Sequence, residues 1–80
     1  MNAQAKYKVE LTVTGEETFT AYCNTKQNML DMVFMIVAAY DTKNARTDAN
    51  YFESQFSKRN CQRVTTCNRL KTHHVTVTRI

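Results

Sequence analysis

The residue types best suited to metal or nucleophilic chemistry lie near the C-terminus: Cys61, Cys67, and the adjacent pair His73 and His74. Thiolate sulfur and imidazole nitrogen are the usual ligands of a structural zinc ion. Five residues separate the two cysteines, however, whereas paired zinc ligands favour two to four. If this segment is a strand, the two sulfurs stand about 20 Å apart, at roughly 3.3 Å per residue. The spacing therefore predicts no metal site.

Enzymatic chemistry is equally poorly supported by the residue types. A cysteine nucleophile needs a base and an orienting group, and no acid follows Glu53 in the chain. The acidic residues show no pair with the local spacing of a two-metal or glycosidase site. Gly15 is the only glycine, which excludes a P-loop or a dinucleotide-binding turn. We therefore expect no enzyme activity and no cofactor.

The strongest signal is a charge asymmetry. Residues 58–80 contain no Asp or Glu, whereas the first 57 residues hold five basic and all seven acidic residues, a net charge of −2. The net charge of +4 for the whole chain therefore comes from the C-terminal segment. Its basic residues are Lys58, Arg59, Arg63, Arg69, Lys71 and Arg79. Helix ends and edge strands account for part of this charge, and the rest indicates an anionic partner.

The N-terminal part predicts a β-hairpin. Residues 6–14 alternate between apolar and polar side chains, which is the period of a half-buried strand. Gly15 then predicts a turn, and residues 17–23 predict a second strand with Phe19 on its apolar face. Residues 1–5 are expected to be disordered.

A helix is predicted over residues 25–40, with Asn24 as its N-cap and Gln27 as the capping-box partner. Eleven of the twelve residues from Met29 to Tyr40 are apolar. This segment is too short to span a bilayer, because a membrane-spanning helix needs about 20 apolar residues. No membrane association is therefore expected. The helix should bury one face against the hairpin. The predicted core is Leu30, Val33, Ile36, Val37, Val9, Leu11 and Phe19.

A shorter helix is predicted over residues 48–58, and strands over 61–67 and 73–79. The element order is then β-β-α-α-β-β. This order predicts a two-layer α+β fold, in which the main helix packs on one face of a small antiparallel sheet. The whole chain, residues 1–80, is expected to form one small domain.

The main helix carries more apolar surface than one sheet can cover. Met32, Met35 and Ala39 lie on the side opposite the predicted core face. In one interpretation the second helix and the C-terminal segment cover this surplus. In the other it is a protein interface, most commonly that of a symmetric homodimer.

The favoured function is binding of nucleic acid through phosphate contacts of the C-terminal hairpin. Arg63, Arg69 and Lys71 are predicted to form one positive surface, and His73 and His74 are candidates for stacking on bases. Residues of the first hairpin extend the same predicted surface: Lys6, Lys8 and Tyr22. The element order fits neither an RRM nor a double-stranded RNA-binding domain.

The alternative is a protein-binding inhibitor or adaptor that docks on an acidic or nucleic-acid-associated protein. In size and general style the chain resembles the accessory proteins of phages and mobile elements, including anti-CRISPR inhibitors. The N-terminus lacks an apolar signal core and the cysteine count is odd, so the expected location is the cytoplasm, that of a host cell if the protein is phage-encoded.

Overall fold

Two hairpins and two helices form the fold, in the order that the sequence predicts. The computed structural model describes residues 5–80. The elements are β1 (Tyr7–Val13), β2 (Phe19–Cys23), α1 (Lys26–Tyr40), α2 (Ala45–Phe56), β3 (Arg63–Cys67) and β4 (His73–Arg79). The four strands form one antiparallel sheet in the order β2-β1-β4-β3. The predicted two-layer α+β fold is confirmed. Of the expected disordered segment, residues 1–4 lie outside the described residues.

The core lies between one face of the sheet and both helices. The central strands contribute Val9, Val75 and Val77, which are fully buried. From the helices, Met29, Val33, Val37 and Phe52 are also inaccessible to solvent and belong to the same cluster. Since both helices cover this face, the opposite face of the sheet is left open.

The predicted core is largely confirmed, with one error. Leu30, Val33, Val37 and Val9 are buried, and Leu11 and Ile36 are half-buried against the core. Phe19, by contrast, is 50% exposed. It lies on β2, which is an edge strand with no neighbour on its outer side. The alternation correctly predicted the face of Phe19 but carried no information about its position at the edge.

The N-cap of α1 is Thr25, one residue after the predicted Asn24. The Thr25 hydroxyl accepts a hydrogen bond of 3.1 Å from the backbone N–H of Asn28. Gln27 does not complete a capping box, because its side-chain amide donates to the Asp31 carboxylate at 2.9 Å. Threonine and asparagine are both good N-caps, and the two are adjacent, so residue preference alone did not separate them.

The second helix begins three residues before its predicted start and ends two residues before its predicted end. A 3₁₀ turn over Thr42–Asn44 leads directly into it. Ala45, Ala49, Phe52 and Phe56 are buried and form one apolar stripe, which begins at the first residue of the helix. At the other end, the Ser57 hydroxyl donates to the carbonyl oxygen of Glu53 at 2.8 Å.

Neither helix spans a bilayer. Within residues 5–80, no helix is both long enough and apolar enough to do so.

Candidate nucleic-acid interface

The open face of the sheet carries polar and charged side chains on all four strands. Side chains alternate between the two faces of a strand, so the residues that do not face the helices are those between the core positions. Threonine predominates on this face. Its members are Lys8, Glu10, Thr12, Thr20, Tyr22, Arg63, Thr65, Cys67, His74, Thr76 and Thr78.

One row across this face combines an aromatic ring with two cations. Lys8 on β1 lies opposite Tyr22 on one side and opposite Thr78 on the other. Thr78 in turn lies opposite Arg63 on β3. With strands about 4.8 Å apart, the row from Tyr22 to Arg63 is about 14 Å long. Tyr22 is 57% exposed, so its ring is accessible from this face.

Little acidic charge neutralises this row. Among residues 5–80 the only ion pair joins the Lys8 ammonium to the Glu10 carboxylate, at 3.8 Å. Such a surface pair is weak, because water screens both charges. Arg63 therefore has no carboxylate within ion-pairing distance in the described part of the chain.

Three more cations lie at the same end of the sheet. Lys6 directly precedes β1, where its carbonyl oxygen accepts a bond of 2.9 Å from the Ile80 N–H. Lys58 and Arg59 are exposed in the connection from α2 to β3. We call this region the basic end, and define it by Lys6, Lys8, Lys58, Arg59 and Arg63.

Arg69 and Lys71 lie at the other end of the sheet, in the turn between β3 and β4. From Arg63 to Cys67 alone, β3 extends about 13 Å, at roughly 3.3 Å per residue. The structure thus does not bring Arg63, Arg69 and Lys71 together as one cluster.

Side-chain hydrogen bonds organise the β3–β4 turn. The Asn68 side-chain oxygen accepts hydrogen bonds of 2.9 Å from the N–H groups of Thr72 and His73. Lys71 adopts a left-handed backbone with a φ of 58°. The β1–β2 turn, which contains Glu16 and Glu17, lies next to it, because the Thr14 N–H bonds the Thr72 carbonyl oxygen at 2.9 Å. This end of the sheet therefore carries mixed charge.

Two predicted binding residues have structural roles on the helix side of the sheet. The Arg79 guanidinium donates to the carbonyl oxygens of Phe56 and Arg59, at 2.8 and 3.1 Å. The His73 ring stacks on Tyr40, with ring centroids 4.3 Å apart. Neither side chain faces the open sheet, so neither belongs to the row of Tyr22 and Arg63. His74 does lie on the open face, opposite Thr12 and Cys67.

The threonine hydroxyls of the open face were missed in the sequence-based prediction. Thr65 and Thr76 share a hydrogen bond of 2.9 Å across neighbouring strands, and Thr12 and Thr18 are 3.4 Å apart. The signal was present in the alternation of threonine with apolar residues in β4. Hydroxyl groups can donate to phosphate or to base edges, so they add polar contacts to the cations of this face.

The cysteines and histidines do not assemble a metal site within residues 5–80. No group of three or more His, Cys, Asp or Glu side chains in this part of the chain is placed to hold an ion. All three cysteines are free: Cys23 is buried, Cys61 is half-buried and Cys67 is exposed.

The candidate protein interface on α1 is only partly accessible. Met35 is 67% exposed and Ala39 is exposed, whereas Met32 is half-buried against the core. Two grooves lie on either side of Met35. The larger, about 520 Å³, runs between α1 and α2, and the smaller, about 340 Å³, runs between α1 and the end of β2. The second helix therefore covers part of the surplus apolar surface and leaves Met35 uncovered.

Comparisons with known proteins found no similarity: no protein-family model, no curated protein and no solved structure matches this chain.

Proposed function

We propose that this protein binds single-stranded nucleic acid on the open face of its sheet. The observation that carries the proposal is the row formed by Tyr22, Lys8, Thr78 and Arg63, which crosses all four strands. Lys8 lies beside Tyr22, and Thr78 separates Lys8 from Arg63. An exposed ring offers a stacking platform for an unpaired base, and the cations of the same row neutralise phosphates of the bound strand. Some RNA-binding domains use a four-stranded sheet with exposed aromatic rings in this way.

The shape of the surface favours a single strand over a duplex. Reading duplex DNA through its major groove takes a protruding helix or a two-stranded ribbon. Here both helices lie behind the sheet, and the open face presents a broad four-stranded surface. Bases that are already unpaired can stack on Tyr22 without the cost of leaving a duplex.

The basic end offers phosphate-binding cations to the part of a nucleic-acid strand that extends past the sheet. Lys6 precedes β1, and the Arg59 carbonyl oxygen accepts a hydrogen bond from Arg79 at the end of β4, so Lys6, Lys58 and Arg59 lie at the end of the sheet that carries the row. There they supply the cations for further phosphate contacts. Arg69 and Lys71 contribute less, because Glu16 and Glu17 lie in the neighbouring turn. Arg63 should therefore contribute more to phosphate binding than Arg69.

The test is titration of labelled 12-nucleotide single strands, of both DNA and RNA, and of the matching duplexes, at several salt concentrations. Tyr22→Ala should weaken single-strand binding by roughly 5- to 100-fold, the value of one stacked base. Tyr51→Ala is the matched control, because Tyr51 is also exposed but lies on α2, away from the open face. Equal losses in the two variants, or no binding at low salt, would rule out the proposal.

A second candidate function, docking on a protein, is supported by Met35. A flexible thioether that is exposed between two grooves is a surface on which a partner's apolar side chains pack readily. Affinity capture with and without nuclease separates the two functions. A partner that survives nuclease treatment and is lost on Met35→Glu favours the protein-binding function.

A further inference from the structure

We propose that two copies of this chain form a symmetric dimer by pairing their β2 strands, which joins the two sheets into one of eight strands. This inference does not rest on the proposed nucleic-acid binding, because its observations concern the backbone and side chains of the β2 edge, which also carries Tyr22. Three observations carry it: the absence of charge on β2, the direction of its backbone groups, and the fit of Phe19 to a groove.

The first observation is that β2 lacks the features that keep edge strands apart. Natural edges are commonly guarded by charged residues or proline. The five residues of β2 include neither, and Phe19 and Tyr22 are both exposed. The other edge strand, β3, begins at Arg63 and adjoins the basic end. Two β3 edges would therefore repel each other, whereas two β2 edges would not.

The second observation is the direction of the backbone groups of β2. The Ile80 N–H bonds the Lys6 carbonyl oxygen and the Thr14 N–H bonds that of Thr72, so the even-numbered residues of β1 bond to β4. Hydrogen-bonding residues alternate along an antiparallel strand. The odd-numbered residues of β1 consequently bond to β2. The N–H and C=O groups of Thr20 and Tyr22 then point outward, away from the sheet.

These outward groups are self-complementary. When the twofold axis passes beside Ala21, Thr20 of each copy lies opposite Tyr22 of the other, and each pair exchanges two backbone hydrogen bonds. The small Ala21 side chains meet at the axis. On the open face, each large Tyr22 side chain is set against the smaller Thr20, so the two strands pair without crowding.

The third observation concerns the helix side of the strand. In this register Phe19 of one copy lies opposite Cys23 of the other. Cys23 lines the 340 Å³ groove at the end of β2, together with Met32 and Met35. The half-exposed ring of Phe19 would therefore enter the groove of the second copy, and the contact occurs twice by symmetry. Apolar surface of Phe19 and Met35 would be buried in one step.

The test begins with sedimentation of the native chain over a range of concentrations. Thr20→Pro should weaken the dimer at least about tenfold, because proline removes an outward N–H that bonds the second copy. The ladder to β1 stays intact, because that N–H does not face β1. Thr65→Pro is the matched control on the other edge, where the parity of the β3–β4 bonds also points the N–H of residue 65 outward.

A cross-linking experiment tests the register itself. Ala21→Cys is made in a Cys61→Ser/Cys67→Ser background, and Thr65→Cys in the same background is its control. Residues opposite each other in a non-hydrogen-bonded pair have Cα atoms about 4.5 Å apart, which a disulfide can bridge. Mild oxidation should link the Ala21→Cys copies rapidly and leave the Thr65→Cys copies unlinked.

A native chain that sediments as a monomer at all concentrations overturns the proposal. So does a Thr20→Pro variant that keeps its native circular dichroism and dimerises as strongly as the native chain. Equal cross-linking of the Ala21→Cys and Thr65→Cys variants overturns the register.

Discussion

The Arg79 guanidinium donates a hydrogen bond of 2.8 Å to the carbonyl oxygen of Phe56. This bond connects the last strand to Phe56, the last residue of α2. The carbonyl groups in the last turn of a helix have no partner within the helix, and the Arg79 side chain supplies one for Phe56. The guanidinium carbon also lies 5.4 Å from the centroid of the Phe56 ring. Arg79, a residue of the basic C-terminal segment, thus stabilises the packing of β4 against α2. Its positive charge also interacts favourably with the negative C-terminal end of the α2 dipole.

Replacement of Arg79 by alanine should therefore destabilise the fold by about 1.5–3 kcal/mol, the range for hydrogen bonds that involve a charged group. Arg59→Ala is the control, because that side chain is exposed, and it should change stability by less than about 0.5 kcal/mol. Urea unfolding of the three proteins gives the comparison. Similar stabilities for the two variants would contradict a structural role for Arg79.

Arg63→Ala and Arg69→Ala should affect nucleic-acid binding differently, although both remove one arginine from the same hairpin. Loss of a phosphate contact should reduce the salt slope of single-strand binding by about 0.7, and this reduction is expected for Arg63. Arg69 lies at the mixed-charge end, so its removal should leave the slope nearly unchanged. A salt titration of both variants decides the matter. A larger loss for Arg69→Ala would place the binding surface at the β3–β4 turn instead.

Thr25→Ala should lower stability by about 1 kcal/mol, because it leaves the N–H of Asn28 without its acceptor at the start of α1. Thr25→Ser keeps the hydroxyl and should restore most of the stability. Thermal unfolding of the two variants measures the difference. If alanine and serine behave alike, the capping bond contributes nothing.

Asp48→Asn should stabilise the fold at pH 7 and lose this advantage in acid. Burial raises the pKa of the Asp48 carboxyl, and the Asp41 carboxylate nearby raises it further. Between the unfolded pKa, about 3.9, and the raised folded one, the folded state binds more protons than the unfolded state. The ionised carboxylate therefore lowers stability as the pH rises through this window, and the penalty persists above it. Asparagine carries no charge and avoids it.

The measurement is the melting temperature of the native chain and of Asp48→Asn at pH 7 and at pH 3. Asp48→Asn should have a higher melting temperature than the native chain at pH 7 and the same melting temperature at pH 3. Glu17→Gln, in the exposed β1–β2 turn, is the control and should show no such gain at pH 7. A destabilising effect of Asp48→Asn at pH 7 would mean that the favourable interaction of Asp48 with the N-terminus of α2 outweighs its burial.

Several features of the fold were readable from local patterns. The alternation of Tyr7, Val9 and Leu11 correctly predicted which face of β1 is buried, because the two faces of a strand differ strictly by residue parity. The apolar run of α1 correctly predicted a helix that packs on the sheet. Helix ends were less well predicted, since Asn24 and Thr25 are both good caps and only the backbone geometry distinguishes them.

The candidate site, in contrast, was decided by tertiary structure. Lys8, Tyr22 and Arg63 come from three different strands. No local pattern predicts that β4 pairs with β1 on one side and with β3 on the other. The same long-range arrangement placed Glu16 and Glu17 near the turn of Arg69, and turned Arg79 toward α2. The sequence by itself determined the amount of positive charge and the parity of each strand. Which charges share a surface depends on contacts between residues far apart in the chain, and those contacts follow from the burial of the whole core rather than from any segment.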